Sequence, residues 1–295
     1  MKAFRIASVT RMASQLVHLP EVERLSPACI RILGGNPSKF TLQGTNTYLV
    51  GTGPNRLLID TGEGKPSWID ALKRTLDEEK ATIESALITH WHPDHTGGIG
   101  QLLEHSPKTA VYKYKPSDGQ LAISEGQKFE VEGATLTAFH TPGHTDDHIV
   151  FVIQEEDALF TGDNVLGQGT AVFEDLGTYL KSIAKMEKLV SGRGYPGHGP
   201  VLPQASRTIA EYISHRRQRE QQVLEVLQTL TSAGDYDTWT PMGLVKIIYR
   251  DVPESLHVPA ANGVVQILRK LRDEGKVKEL EDEDHWRFIK RSSVC

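Results

Sequence analysis

The sequence predicts an α/β architecture with a small second unit at its carboxyl end, and three observations carry that reading. From residue 46 onward, short apolar runs alternate with turn residues, and helical stretches stand between some of them. The chain has 295 residues, 38% hydrophobic and 24% charged, enough to bury a full core in one large domain with an appendage. Beyond residue 233 the pattern changes to helix, helix and hairpin. The same composition excludes disorder, collagen and coiled coil as descriptions of the whole chain.

Residues 1–20 carry Lys2, Arg5 and Arg11 with hydroxyls at Ser8, Thr10 and Ser14 and no acid before Glu21. This is a flexible lead-in of faint transit-peptide composition, without a signal-peptide apolar core. The main domain is expected over 21–202. Asn46–Val50 and Arg56–Ile59 read as strands paired across Gly51-Thr-Gly-Pro54. Trp68, Ile69, Leu72 and Leu76 recur at helical spacing over Ser67–Glu79, and the chain returns as a buried strand, Ala86–Thr89, which sets His90 at a strand's carboxyl end. Lys128–Val131, Ala134–Phe139, His148–Ile153 and Ala158–Thr161 read as successive strands. Ser85–His90 and Asp157–Asp163 both finish on a threonine and then a candidate metal ligand, as two similar halves facing one site would.

A connecting helix is expected over 203–232 and a winged-helix-like unit over 233–295. Thr240–Tyr249 predicts a helix with Pro241 in its first turn, Ala260–Asp273 a second helix, and Gly275–Leu280 with His285–Ile289 a hairpin. Residues 201–295 carry 14 basic and 14 acidic side chains, and the wing tip Glu279–Asp284 is acidic. This balance favours a packing or substrate-rim role over nucleic-acid reading.

Lys and Arg total 33 against 38 Asp and Glu, a formal charge of −5, which argues against a generic polyanion binder. Only Cys29 and Cys295 occur, so the expectation is a reducing compartment, cytoplasmic with mitochondrial as the alternative, and no disulfide framework. Apolar runs fall well short of the roughly 20 residues that cross a bilayer, so no membrane association is expected.

Three of the 12 histidines sit within His90-Trp-His-Pro-Asp-His95. A His-x-His pair after a strand can send both imidazoles to one ion, while Asp94 and His95 project to a neighbouring position. Thr141-Pro-Gly-His144, Thr161-Gly-Asp163 and Tyr195-Pro-Gly-His-Gly199 each place a ligand-type side chain on a tight turn beside glycine, where backbone can crowd a metal cluster. His90, His92, Asp94, His95, His144, Asp163 and His198 are five imidazoles and two carboxylates. That set suits Zn²⁺ and is too large for one tetrahedral ion, so two ions sharing a carboxylate fit it.

Thr89-His-Trp-His-Pro-Asp-His-Thr-Gly-Gly98, Asp60-Thr-Gly62, Thr141–His144, Gly162-Asp163 and Pro196–Gly199 together resemble the metallo-β-lactamase superfamily. The resemblance implies a four-layer αβ/βα sandwich with two Zn²⁺ ions at one edge. His90, His92 and His144 would hold the first and Asp94, His95 and His198 the second. Asp163 would bridge them, with Asp60 orienting a ligand from behind. It further implies hydrolysis by a zinc-bridging hydroxide, with Asp94 as a catalytic proton carrier. The absence of a signal peptide, of a flavin domain and of a long flexible arm sets aside antibiotic hydrolysis and the flavodiiron and tRNA 3′-processing branches. Gly44–Gly51, Gly169–Leu176, Ile213–Gln221 and the carboxyl-terminal unit extend the resemblance to the β-lactamase-like protein 2 group. Its animal members are single-strand endoribonucleases, and its fungal members include acyl-carrier-protein thioesterases that release polyketides such as atrochrysone carboxylic acid.

The substrate expectation is therefore a polyketide thioester on an acyl carrier domain, with single-stranded RNA as the alternative. Leu16–Arg24 and Trp239–Lys246 resemble the fungal members more closely. A thiolate, with a conjugate-acid pKa near roughly 8.5, leaves with little protonation, whereas a phosphodiester expels an alkoxide and needs cationic positioning. The one basic run, His215-Arg-Arg-Gln-Arg219, makes Arg216, Arg217 and Arg219 candidate substrate-binding residues, with a solvated helix face as the plainer reading. Tyr112, Lys113 and Lys115 read either as rim or as outer-strand residues, and His140, His148 and His215 as structural.

Overall fold

The computed structural model describes residues 16–229, 237–280 and 284–289. Most of the lead-in, the middle of the acidic wing tip and Cys295 lie outside the described residues. Strands β1 (Val22–Ser26), β2 (Cys29–Leu33), β3 (Asn46–Val50) and β4 (Asn55–Ile59) pair antiparallel in turn. Helix α1 (Pro66–Glu79) crosses over to β5 (Thr82–Ile88), parallel to β4. One helical turn, α2 (Pro93–Thr96), and α3 (Ile99–His105) lead to β6 (Ala110–Lys113) and β7 (Leu121–Ala122), which complete a seven-stranded sheet in sequence order. The second sheet has five strands, β8 (Lys128–Val131), β9 (Ala134–His140), β10 (Ile149–Ile153) and β11 (Ala158–Gly162), and, after α4 (Leu176–Met186), β12 (Gly194–Pro196) parallel to β11.

The period of two along each strand builds four layers from these two sheets. Tyr48, Val50, Leu57 and Ile59 point from the first sheet into a core shared with Leu136, Phe151, Ile153 and Phe160 of the second. Their neighbours Leu49 and Leu58 point outward onto Trp68, Ile69, Leu72 and Leu76 of α1. Val150 and Leu159 point outward from the second sheet onto Tyr179, Ile183 and Met186 of α4. With both faces covered, these strands read as unbroken apolar runs. Trp68 is fully buried and its indole N–H donates to Thr47 Oγ1 at 2.9 Å. Truncating it to alanine would open a cavity costing about 3–5 kcal/mol.

Helix α5 (Ala205–Leu227) leads to β13 (Thr238–Trp239), α6 (Pro241–Ile248), α7 (His257–Asp273), β14 (Val277–Glu279) and β15 (Trp286–Phe288). The three strands form a small sheet ordered β13-β15-β14, which gives the helix, helix and hairpin expected. Thr240 caps α6 by accepting from the Gly243 N–H at 3.0 Å, with Pro241 in the first turn, where a missing N–H costs nothing. Val223, Leu227, Leu244, Leu268 and Trp286 are buried in the same cluster as Tyr179 and Ile183, so this unit shares a core with the second sheet's helices. Lys270 Nζ, 2.8 Å from Glu220 Oε2, adds an ion pair between α7 and α5. Among the described residues no helix is long and apolar enough to cross a membrane.

Among the elements without a forecast are the β1–β2 hairpin, α3, β7 and α4, whereas Tyr112 and Lys113, read either as rim or as outer strand, lie in strand β6. β1 is half-buried with weak alternation, and β2 carries Arg31 fully buried in mid-strand, paired with Glu23, which breaks the apolar signal. Asp175 accepting from the Thr178 N–H at 2.7 Å is an ordinary helix start for α4 that the Gly169–Leu176 stretch already displays.

Candidate metal centre

The site is assembled at strand ends. β4 gives way to Asp60, which adopts a left-handed backbone (φ +58°) that Asp tolerates better than most residues. Its carboxylate accepts the Thr89 N–H and the Thr89 hydroxyl, both at 2.8 Å, and faces His95 Nδ1 at 2.7 Å. Asp60 thus ties the end of β4 to the end of β5, where His90 follows. His92 precedes α2, and the single helical turn carries Asp94 and His95 away to a second position. This local geometry divides the compact motif between two groups.

In the first group, His90, His92, His144 and Asp163 each offer one ligand atom within 4.8 Å of every other, and Asp94, His95 and His198 do the same in the second. His90 Nε2 lies 2.9 Å from His92 Nδ1 and 3.3 Å from His144 Nε2, and the last two are 3.1 Å apart. Zinc–nitrogen bonds of about 2.0–2.1 Å make the edges of a tetrahedron about 3.3 Å, so three ring nitrogens at these separations fit around one ion. The distal nitrogens have acceptors that turn the lone pairs inward. His90 Nδ1 faces Thr89 Oγ1 at 3.0 Å and His144 Nδ1 faces the Val172 carbonyl at 2.8 Å. Burial pushes His90 well below the usual histidine range and lowers His92 as well, so both imidazoles are neutral donors.

The second group carries more charge. His198 Nε2 lies 3.2 Å from both Asp94 Oδ2 and Asp163 Oδ2, and His95 Nε2 lies 3.4 Å from Asp94 Oδ2 and 3.5 Å from Asp163 Oδ1. Asp163 Oδ2 is also 3.7 Å from His144 Nε2, so one carboxylate spans both groups. Burial opposes charge on Asp94 and Asp163, but hydrogen bonding to His198 and the nearby positive charge of His198 and His95 outweigh it and hold both carboxyls well below their usual range. Burial likewise opposes charge on His95 and His198. The Asp60 and Asp163 carboxylates raise His95 nonetheless, and Asp163 raises His198 to about 9. Buried His95 Nε2 and Asp163 Oδ1 have no hydrogen-bond partner, although nitrogen and carboxylate donors crowd round them. A divalent cation satisfies such atoms, and the nitrogen-rich donor set with some oxygen suits zinc.

Glycine next to the ligands permits the crowding. A Cβ on Gly197 would stand 2.2 Å from Asp163 Oδ1 and 3.0 Å from His95 Cε1, so the backbone itself forms the wall. Several residues that hold the site were not singled out as site residues in the sequence. Thr45 Oγ1 donates to Asp94 Oδ2 at 3.2 Å and is itself held by Asn36 Nδ2 at 3.1 Å. Asn46 Nδ2 donates to the carbonyls of Pro196 and Gly199 on either side of His198, at 2.8 and 2.9 Å. His148 Nε2 accepts the Asp163 N–H at 3.1 Å, so a histidine read as structural fixes the backbone of the shared carboxylate. Thr45 and Asn46 lie in the Gly44–Gly51 stretch and His148 opens the strand read over His148–Ile153, while Asn36 stands outside both, and only the folded pairing shows what they touch.

Lys113 is turned inward and paired with Asp147, whose other oxygen accepts from Thr145 Oγ1 at 2.8 Å. Tyr112 packs edge-on against Phe129, and Lys115 pairs with Asp146 at the surface. Lys113 and Lys115 therefore brace the loop after His144. The three arginines are not gathered on one face. Arg216 Nη2 donates to the Ala171 carbonyl at 2.8 Å, Arg219 lies 4.1 Å over the Tyr249 ring, and Arg217 lines a groove between α4 and α5 with Ala184 and Glu187.

Two packed sheets with helices on both outer faces, and a seven-donor edge site, define a metallohydrolase of the αβ/βα type. Residues 40–117 and 109–198 match the metallo-beta-lactamase superfamily model, and residues 240–286 match the beta-lactamase associated winged helix domain. The chain is 47% identical over 268 residues to the atrochrysone carboxyl ACP thioesterase of Aspergillus chevalieri, covering 90% of this chain and 87% of that protein. It is 52% identical over 215 residues to thioesterase pkgB of Emericella nidulans, covering 72% of this chain and 63% of that protein. Among solved structures, a beta-lactamase domain protein from Burkholderia ambifaria aligns with TM-score 0.75 at 17% identity, covering 95% and 96% of the two chains, a likeness of fold. The chain belongs to the metallo-β-lactamase superfamily. It is a hydrolase of that superfamily, and it carries the associated winged helix.

Proposed function

We propose that this hydrolase is a two-zinc thioesterase that releases a polyketide acyl group from an acyl carrier domain. The observation that carries the reading is the complete seven-donor site in a chain 47% identical, across 90% of its length, to a protein named as an ACP thioesterase. His90, His92 and His144 would hold one ion, Asp94, His95 and His198 the other, and Asp163 both. Zinc held there would supply a bound water acidified to near neutrality and Lewis acidity toward the thioester carbonyl.

The protein's own groups set up the rest. Asp60 fixes the tautomer and orientation of His95 and, through Thr89, of His90. Of the two carboxylate ligands, Asp94 is the more exposed, 22% against 11% for Asp163, and Thr45 donates to its Oδ2, so it is the carboxylate placed to pass a proton to solvent. A thiolate leaving group needs no acid at its sulfur, and the described site offers none beyond the ligands themselves. The placement of the arginines also favours the thioester over single-stranded RNA. Arg216 is bound to a loop carbonyl and Arg219 to an aromatic ring, so the basic run does not form a phosphate track.

Zinc-loaded protein set in parallel against an acyl-pantetheine thioester and a single-stranded RNA, with a chelated control, tests the reading. The expected result is chelator-sensitive thiol release and intact RNA. RNA cleavage with an intact thioester would overturn it.

A further inference from the structure

The loop from Leu166 to Asp175 supplies an atom that orients His144. The Val172 carbonyl faces His144 Nδ1 at 2.8 Å, which directs Nε2 toward His90 and His92. This carbonyl belongs to an irregular segment whose Val172 side chain is 65% exposed, so its own residue does not anchor it. The anchors come from α5. Tyr212 Oη accepts the Leu166 N–H at 3.2 Å and donates to the Gly169 carbonyl at 2.9 Å. Arg216, one helical turn on, donates through Nη2 to the Ala171 carbonyl at 2.8 Å, and its guanidinium lies 4.8 Å over the Phe173 ring. Phe173 in turn stacks on Tyr179 of α4, ring centroids 5.2 Å apart. Residues on both sides of Val172 are therefore clamped by one side chain.

We infer that Arg216, with Tyr212, is a positioning residue for His144: α5 holds the Leu166–Asp175 loop at the height where its Val172 carbonyl fixes the imidazole. The inference rests on the reading of His90, His92 and His144 as a metal group, and it replaces the expectation of Arg216 as a contact to substrate. The planar fork explains why arginine stands here. It gives a directed hydrogen bond and a flat face for the ring at once, and lysine provides neither in that geometry.

The test compares Arg216→Ala, Arg216→Lys and Tyr212→Phe with Arg207→Ala, an exposed control on the same helix, in the full-length protein. Three quantities are read: zinc affinity by competition with a chromogenic chelator, thermal stability of the metal-free form, and kcat and KM for an acyl-pantetheine thioester. The expected result is zinc affinity at one of two ions lowered roughly 10- to 100-fold in Arg216→Ala, as for other residues that orient a metal ligand. Arg216→Lys should restore little of it and Tyr212→Phe should show a smaller loss. The metal-free melting temperature should match that of Arg207→Ala, and kcat should fall while KM holds. Unchanged zinc affinity with a raised KM would make Arg216 a substrate contact and overturn the inference. Equal losses of metal-free stability with zinc affinity intact would reduce it to packing and overturn it too. If wild-type protein bound no zinc, the metal-group reading itself would fail, which is a separate outcome.

Discussion

The two candidate ligand groups sit side by side but are built differently. The first is three imidazoles completed by the shared Asp163 carboxylate, and the acceptors behind His90 and His144 are neutral oxygens of Thr89 and Val172. Burial lowers His90 and His92, so those nitrogens need shed no proton before they bind a cation. The second group pairs imidazoles with carboxylates: Asp60 stands behind His95, Asp94 beside His198, and buried His198 Nδ1 has no hydrogen-bond partner. Its imidazoles are raised, His198 to about 9, so protons occupy the positions a cation would take. The comparison teaches that a site of seven similar donors divides into one half in which burial lowers His90 and His92 and one half in which protons compete with metal.

The largest expected effect comes from the residue common to both halves. Asp163→Asn should cut hydrolysis by more than about 100-fold while leaving the fold, because a neutral amide is a poor bridging ligand. Wild-type turnover with two metals retained in that variant would break the two-group account. Next, Lys113→Met strands Asp147, whose side chain is 1% exposed, under the loop that carries His144. The expected cost is about 3 kcal/mol of unfolding free energy, read by denaturant titration. A loss below 1 kcal/mol would show that the pair does not brace that loop.

Asp60→Asn separates the halves, since it weakens the direct support of His95 and only the indirect support of His90. Zinc affinity should fall by about 10- to 100-fold at the second position and less at the first. Equal losses at both would erase the distinction. The pH dependence follows from the raised imidazoles. In the metal-free protein the protons on His95 and His198 are held below their raised pKa values, so zinc affinity at the second position should climb with pH up to about 9 and drop as pH falls. His90 and His92, lowered by burial, add no such dependence to the first position above pH 7. Equilibrium dialysis across that range distinguishes the two, and parallel pH profiles would contradict the assignment.

All seven donors were legible in the sequence. His90, His92 and His144 stand in short motifs at strand ends, and the division of His90–His95 between two positions follows from a single helical turn that Pro93 begins. The strands that carry them were readable because covered faces make continuous apolar runs such as Ile149–Ile153. What the sequence did not show is what stands behind the ligands. Asn36, Thr45 and Asn46 reach Asp94 and the His198 turn only once β3 lies beside β12's loop. Arg216 looks like one of a basic trio until α5 docks and turns it onto Ala171, 45 residues away in the chain. Such contacts depend on tertiary placement, and local periodicity carries no trace of them.

The most direct test is a zinc titration of chelator-stripped protein at pH 7, with bound metal per chain and thioester hydrolysis measured at each point. The account predicts two ions per chain: a tight first ion that leaves the protein inactive, and a weaker second ion that brings activity with it. Full activity at one ion per chain, with no further binding, would contradict it.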